Sequence, residues 1–189
     1  GPARSQPTAL EALLPAAPAL VVALPWGNPE VLHAMLDKGV RLDQIPAPFD
    51  KVAKDALQGA HGLLDQVTGD VVLALYVGAK GETTAVIAAN VKDEATARAA
   101  ARSVTGAASK GLEAFNQLTG EDKAAKIGVT FKTDGVKAGA VKADLLAIAV
   151  PKNMEKEVES LSPFLTKKKL EAVTLVSGQL AVLAVGGAA

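Results

Sequence analysis

Apolar positions along this chain follow two periods. Val71–Val77 and Thr83–Val91 are short runs, apolar at nearly every position, on either side of the glycine-rich stretch Gly78–Glu82. Two such runs joined by a short glycine-containing turn predict an antiparallel hairpin. Both are apolar over most of their length, which predicts at least partial cover on both faces. Pro18–Leu24 reads as another buried strand. Lys126–Lys132 alternates, with Ile127, Val129 and Phe131 on one side and Lys126, Thr130 and Lys132 on the other. That is the pattern of a strand with one wet face. Asp134-Gly135 signals a hairpin turn with Val136–Val141 pairing back. Asp144–Val150 is almost wholly apolar, which places it at the centre of a sheet. Ala172–Val176 and Gln179–Val185 flank Ser177-Gly178 as a last hairpin.

The helical period appears between these runs. Asn28 suits an N-cap and Pro29 a first helical position, followed by Val31, Leu32, Met35 and Leu36 on one side. Phe49–Leu64 carries Val52, Ala53, Ala56, Leu57, Ala60, Leu63 and Leu64 close to a 3.6 period, with Gly59 and Gly62 weakening it. Asp93 caps an alanine-rich helix reaching Leu118. Glu94, Arg98 and Arg102 stand four apart on that helix and read as solvent-facing ion pairs. Asn153 caps a further helix with Met154, Val158 and Leu161 inward, stopped by Pro163.

The resulting order, β-α-α-β-β-α-β-β-β-α-β-β, predicts an α+β fold. It is a mixed, mostly antiparallel sheet with Ala-rich helices packed on it. Leu20–Val91 and Leu145–Val185 share an outline of strand, helix and two strands. The expectation is a single domain over residues 10–189, with two similar β-α-β-β halves at 10–118 and 119–189. Residues 1–9 read as a flexible leader.

Composition sharpens this picture. Hydrophobic residues make up 49% of the 189 but aromatics only 3%. The core is therefore built from Ala, Val and Leu, which predicts thin helices close to a sheet. Lys plus Arg and Asp plus Glu number 20 each. No basic excess points to nucleic acid, and none is expected as a partner. The absence of cysteine excludes disulfides, thiolate nucleophiles and Cys-ligated metals. Gly1-Pro2 resembles the scar of a cleaved tag, leaving room for an export signal, lipid anchor or transmembrane helix upstream.

Candidate chemistry is sparse. His33 and His61 each fall on a predicted helix, without an H-E-x-x-H pattern or a G-x-S-x-G elbow. They read as surface or boundary histidines. Gly78–Thr84 fails the phosphate-loop pattern and joins two strands. Glu155, Glu157 and Glu159 read as a solvated face. Asp43, Asp50 and Asp55 lack calcium-loop spacing. No catalytic residue, cofactor or metal is assigned. Trp26, on a predicted turn, can anchor a partner or cover a strand end. Lys167, Lys168 and Lys169 form a basic cluster able to meet anionic groups. Lys126, Thr130 and Lys132 line an edge that could accept a partner strand.

Leu13–Leu24 (Leu-Leu-Pro-x-x-Pro-Ala-Leu-Val-Val-Ala-Leu) resembles the opening of a family of uncharacterised exported or lipoprotein-like bacterial proteins. The likeness continues through Leu64–Leu75, with its Gly-Asp-Val-Val-Leu-Ala-Leu, and through Ala88–Ala97, with Val-Lys-Asp-x-Ala-x-Ala. It covers roughly the first half. The resemblance implies an extracytoplasmic (periplasm or cell envelope), often membrane-anchored domain of unknown function, and it brings no catalytic residue. The expectation is a non-enzymatic binding or scaffold domain acting through protein–protein contacts. The alternative is a carrier of an apolar small molecule or lipid, held in a cavity between helices and sheet.

Overall fold

Capping side chains set where two of the helices begin. Asn28 Oδ1 accepts the Glu30 amide at 2.9 Å and Pro29 occupies the first turn, so α1 runs Pro29–Gly39. Asp93 accepts the Thr96 hydroxyl at 2.6 Å and the Thr96 amide at 2.8 Å, and the Glu94–Leu118 helix follows. Those two bonds hold the Asp93 carboxyl below its ordinary value. Between these caps lie a 3-10 turn, Leu42–Gln44, and α2, Phe49–Gln66; the Asp93-capped helix is α3.

The computed structural model describes residues 17–118, 126–138, 141–151, 163–165 and 168–186. The leader, the helix expected from Asn153 through Leu161 with Glu155, Glu157 and Glu159, and Lys167 lie outside them. Among the described residues the chain forms three α-helices and a seven-stranded sheet. The strands are β1 Leu20–Pro25, β2 Val67–Val77, β3 Thr83–Val91, β4 Gly128–Ala138, β5 Val141–Ala149, β6 Lys169–Ser177 and β7 Leu180–Gly186. Their order is β1-β2-β3-β7-β6-β5-β4, and every neighbouring pair is antiparallel. The fold is α+β. β1-β2-β3 and β5-β6-β7 sit symmetrically about the β3–β7 seam.

Two expectations are corrected. Asp134-Gly135 is not a turn: β4 runs through it as one strand, with the register shifting between Lys132 and Val136. Asp134 takes φ 52° and donates its amide to Asp144 Oδ1 at 2.8 Å, so the dipeptide forms a bulge anchored by the neighbouring strand. Seven strands therefore replace the eight expected. β5 lies one strand in from the β4 edge rather than at the centre.

Cover over the sheet is uneven. Paired residues in an antiparallel sheet point to the same face. The register gives a row Val22–Leu73–Ile87–Leu183–Thr174–Asp144 from β1 to β5. This is the helix side, because Asp144 meets Arg102 of α3. Exposure falls along it, from 36% at Val22 and Leu73 and 40% at Ile87 to 6% at Asp144. Leu20, Leu24 and Val77 share that face and are exposed too, whereas Val72, Ala74, Val86 and Ala88 on the opposite face are buried. Val71, Thr83, Ala89 and Val91 on the helix side are buried as well, so both faces of the central hairpin are at least partly covered, as expected, and the face opposite the helices is covered more completely.

The helices explain the gradient. α3 lies on β4, β5 and β6, while α2 lies along α3 and barely touches the sheet. Leu63, near the C-terminal end of α2, joins the core of Val91, Ala97, Ala101 and Val176. α2 and α3 approach closely at Gly59, where a Cβ would lie 2.9 Å from Val104 Cγ2 and 3.0 Å from the Ala100 carbonyl oxygen. The glycine that weakens the helix locally is what lets the two helices meet.

Gly59→Ala is therefore expected to lower stability by about 1–3 kcal/mol through overpacking, despite its better helix propensity. Gly106, in α3 with nothing within 4 Å of an added Cβ, gives the reverse: Gly106→Ala raises stability by about 0.5–1 kcal/mol. Urea denaturation of both variants checks the pair; a shift of the same sign in both would contradict this packing.

Candidate functional site

Two regions on the helix side differ in kind, one charged and one apolar. The charged one joins α3 to β4 and β5. Arg102 Nε donates to Asp144 Oδ2 at 2.7 Å, and Arg102 Nη2 donates to Asp144 Oδ1 at 2.9 Å and Asp134 Oδ1 at 3.0 Å. Arg98 pairs with Glu94 at 2.7 Å and also donates to the Val176 carbonyl oxygen. Glu94 Oε2 accepts the Gly178 amide at 2.7 Å. Glu94, Arg98 and Arg102 were expected to face solvent. They face the sheet instead, because α3 turns that side toward β5, β6 and the β6–β7 turn.

Asp144 is 7% exposed in its side chain. Burial alone pushes its carboxyl up, but the Arg102 bonds, the Asp134 amide and the Arg98 charge together hold it below the ordinary value. Every charged atom aimed inward has a partner, and the residues enclose no room for a ligand. This cluster fastens α3 to the sheet.

The apolar region is a groove of about 690 Å³ between the N-terminal half of α2 and the C-terminal half of α3. Phe49, Val52, Ala53 and Ala56 line it from α2, and Val104, Ala107, Ala108, Gly111, Leu112 and Phe115 from α3. These positions follow the 3.6 period that a sequence reading assigns to a core-facing stripe. Ile45 and Ile127 close its flanks. Asn116 pins Ile127 by accepting its amide at 2.8 Å and donating to its carbonyl at 2.7 Å. A smaller cavity of about 210 Å³, reaching Leu63, Ile87, Ala89 and Leu183, continues over the sheet, and Val104 borders both.

The remaining candidates are scattered. Trp26 follows β1 and donates its amide to the Gly69 carbonyl at 3.1 Å. Its ring is half-buried, and its indole Nε1 is buried with no hydrogen-bond partner among the described residues. Lys126 precedes the edge strand β4, and Thr130 and Lys132 lie on its exposed face. Lys168 accepts the Val150 amide at 2.9 Å through its carbonyl, and Lys169 opens β6. None of these lines the groove.

The sequence reading missed one constellation. His33 of α1 and His61 of α2 meet edge to edge with ring centroids 4.6 Å apart, each bonded to an aspartate of the opposite helix. The available signal was His followed by Asp four residues later, which occurs at His33/Asp37 and again at His61/Asp65. Among the described residues no group of three or more His, Asp or Glu side chains comes together at metal-binding distance. No described helix is long and apolar enough to cross a membrane.

No family model, curated protein or solved structure matches the chain. The resemblance carried by Leu13–Leu24, Leu64–Leu75 and Ala88–Ala97 rests on those motifs alone.

The Asp144 contacts have a defined pH signature. A carboxyl held below its unfolded value contributes stability that is present above about pH 4 and lost as pH falls through the folded value. Asp144→Asn is expected to flatten the acid limb of stability below about pH 4. Arg102→Met, which leaves the carboxylate unpaired, is expected to cost about 2 kcal/mol near neutral pH. Urea unfolding across pH checks both; an acid limb unchanged in Asp144→Asn would contradict the assignment.

Proposed function

We propose that this protein binds an apolar chain, such as the acyl tail of a fatty acid or lipid, in the groove between α2 and α3. The observation that carries the proposal is a space of about 690 Å³ lined by apolar side chains from both helices. That volume falls within the roughly 300–1,000 Å³ of small-molecule sites. The lining offers methyl, methylene and aromatic carbon along its length and no charged side chain, so it selects for shape and apolar surface. Each methylene taken from water contributes about 0.8 kcal/mol. About ten of them correspond to about 8 kcal/mol before ordering costs, the scale of micromolar binding. No catalytic role is needed, and an extracytoplasmic setting comes from the sequence resemblance.

A second reading is supported by a different observation. Val22, Leu73 and Ile87 form an exposed apolar row across β1, β2 and β3, and such rows mark contact surfaces. A scaffold domain acting through protein–protein contact would use this face, or the β4 edge with Lys126, Thr130 and Lys132.

Groove filling separates the two readings. Ala53→Trp and Ala108→Trp place large side chains in the groove and leave the exposed row alone. Titration with a fluorescent fatty acid is expected to show at least about tenfold weaker binding by both variants, with Thr130→Glu unchanged. Equal binding by all three would contradict the groove as the site.

A further inference from the structure

α1 and α2 each carry a histidine with an aspartate four residues on, and the fold crosses the two pairs. His33 Nε2 bonds Asp65 Oδ1 at 2.9 Å, and His61 Nε2 bonds Asp37 Oδ1 at 2.8 Å. The rings are 18° from parallel, and Nδ1 of His33 meets Nδ1 of His61 directly. A carboxylate on Nε2 favours the proton on that nitrogen, so each Nδ1 presents its lone pair. Two lone pairs aimed at one point repel each other unless a cation lies between them.

We propose that His33 and His61 form a two-imidazole site for a divalent transition cation of the zinc class, bound through both Nδ1 atoms. Asp65 and Asp37 act as positioning residues. A carboxylate on the far nitrogen is the usual support of a metal-bound imidazole, fixing its tautomer and raising its basicity. Imidazole donors suit zinc, copper and nickel, whereas calcium and magnesium require oxygen donors. Both imidazole side chains are 25% exposed, which admits the ion and leaves its other positions to water. Two bonds of about 2.0–2.1 Å at a tetrahedral angle hold the nitrogens about 3.3 Å apart, so the rings must move apart from their present contact to admit the ion. α1 buries no residue, so it can make that adjustment without disturbing the core. The ion would then fasten α1 to α2, and it competes with a proton shared by the same two nitrogens.

The probe is Zn2+ alone, titrated into the full chain near neutral pH. One Zn2+ per chain is expected, with both histidine 15Nδ1 resonances moving more than the 15Nε2 resonances. This readout uses the unaltered protein and does not depend on how a variant folds. His33→Gln and His61→Gln are each expected to weaken binding at least tenfold. Asp37→Asn and Asp65→Asn are expected to weaken it about 10–100-fold, and Asp43→Asn to leave it unchanged. Zn2+ that moves neither Nδ1 resonance, or that binds the histidine double variant as tightly as the unaltered chain, overturns the site. A shared proton would then be the cation between the rings.

Discussion

The close approach of α2 to α3 is the constraint on which the rest depends. Gly59 lies against Val104 and the Ala100 carbonyl, Gly62 faces Ala100, and Gly111 faces Val52. Residues without a side chain at these points let two helices run together along their length. Once paired in this way, α2 follows α3 rather than settling on the sheet by itself. α3 in turn is held over β4–β6 by Ala97 and Ala101 in the core and by Arg102 on Asp144 and Asp134. The position of α2 is therefore inherited, and it leaves apolar surface without cover on both sides of the gap.

The two kinds of interaction divide the labour. Apolar packing between small side chains sets how near the layers come. Charge-assisted bonds set where α3 stops along the strands, because Asp144 is the one buried acid among the described residues. A pair in which one partner is largely desolvated is costly to break by removing one partner alone. The bulge at Asp134 belongs to the same arrangement, since its amide and its carboxylate both meet members of the cluster. A rigid anchor on β4 and β5 and an open apolar groove between α2 and α3 follow from a single placement of α3.

Much of the architecture was legible in the sequence. The Asn28 and Asp93 caps, the alternation at Ile127, Val129 and Phe131, and the Ser177-Gly178 hairpin depend on neighbours a few residues away, so local rules suffice. Four features depended on distant partners. Asp134-Gly135 carries the signal of a turn, and only Asp144 and Arg102 convert it to a bulge. Glu94, Arg98 and Arg102 have the spacing of a solvated ion-pair row, and only the docking of α3 turns them inward. The stripe Phe49–Val52–Ala53–Ala56 has the period of a buried face, and periodicity does not say whether the facing layer arrives. His33 and His61 are 28 residues apart; the repeated His-x-x-x-Asp spacing was present, but its meaning lay in the crossing of two helices.

The central claim is that the apolar groove between α2 and α3 holds an apolar chain. Native mass spectrometry of the purified protein tests it most directly, because it reads stoichiometry and retained small molecules in one spectrum. The account predicts that chain incubated with a long-chain fatty acid carries one added molecule per protein, released on denaturation. Bare-chain mass under those conditions would contradict it, and the exposed row Val22–Leu73–Ile87 would then become the surface to pursue.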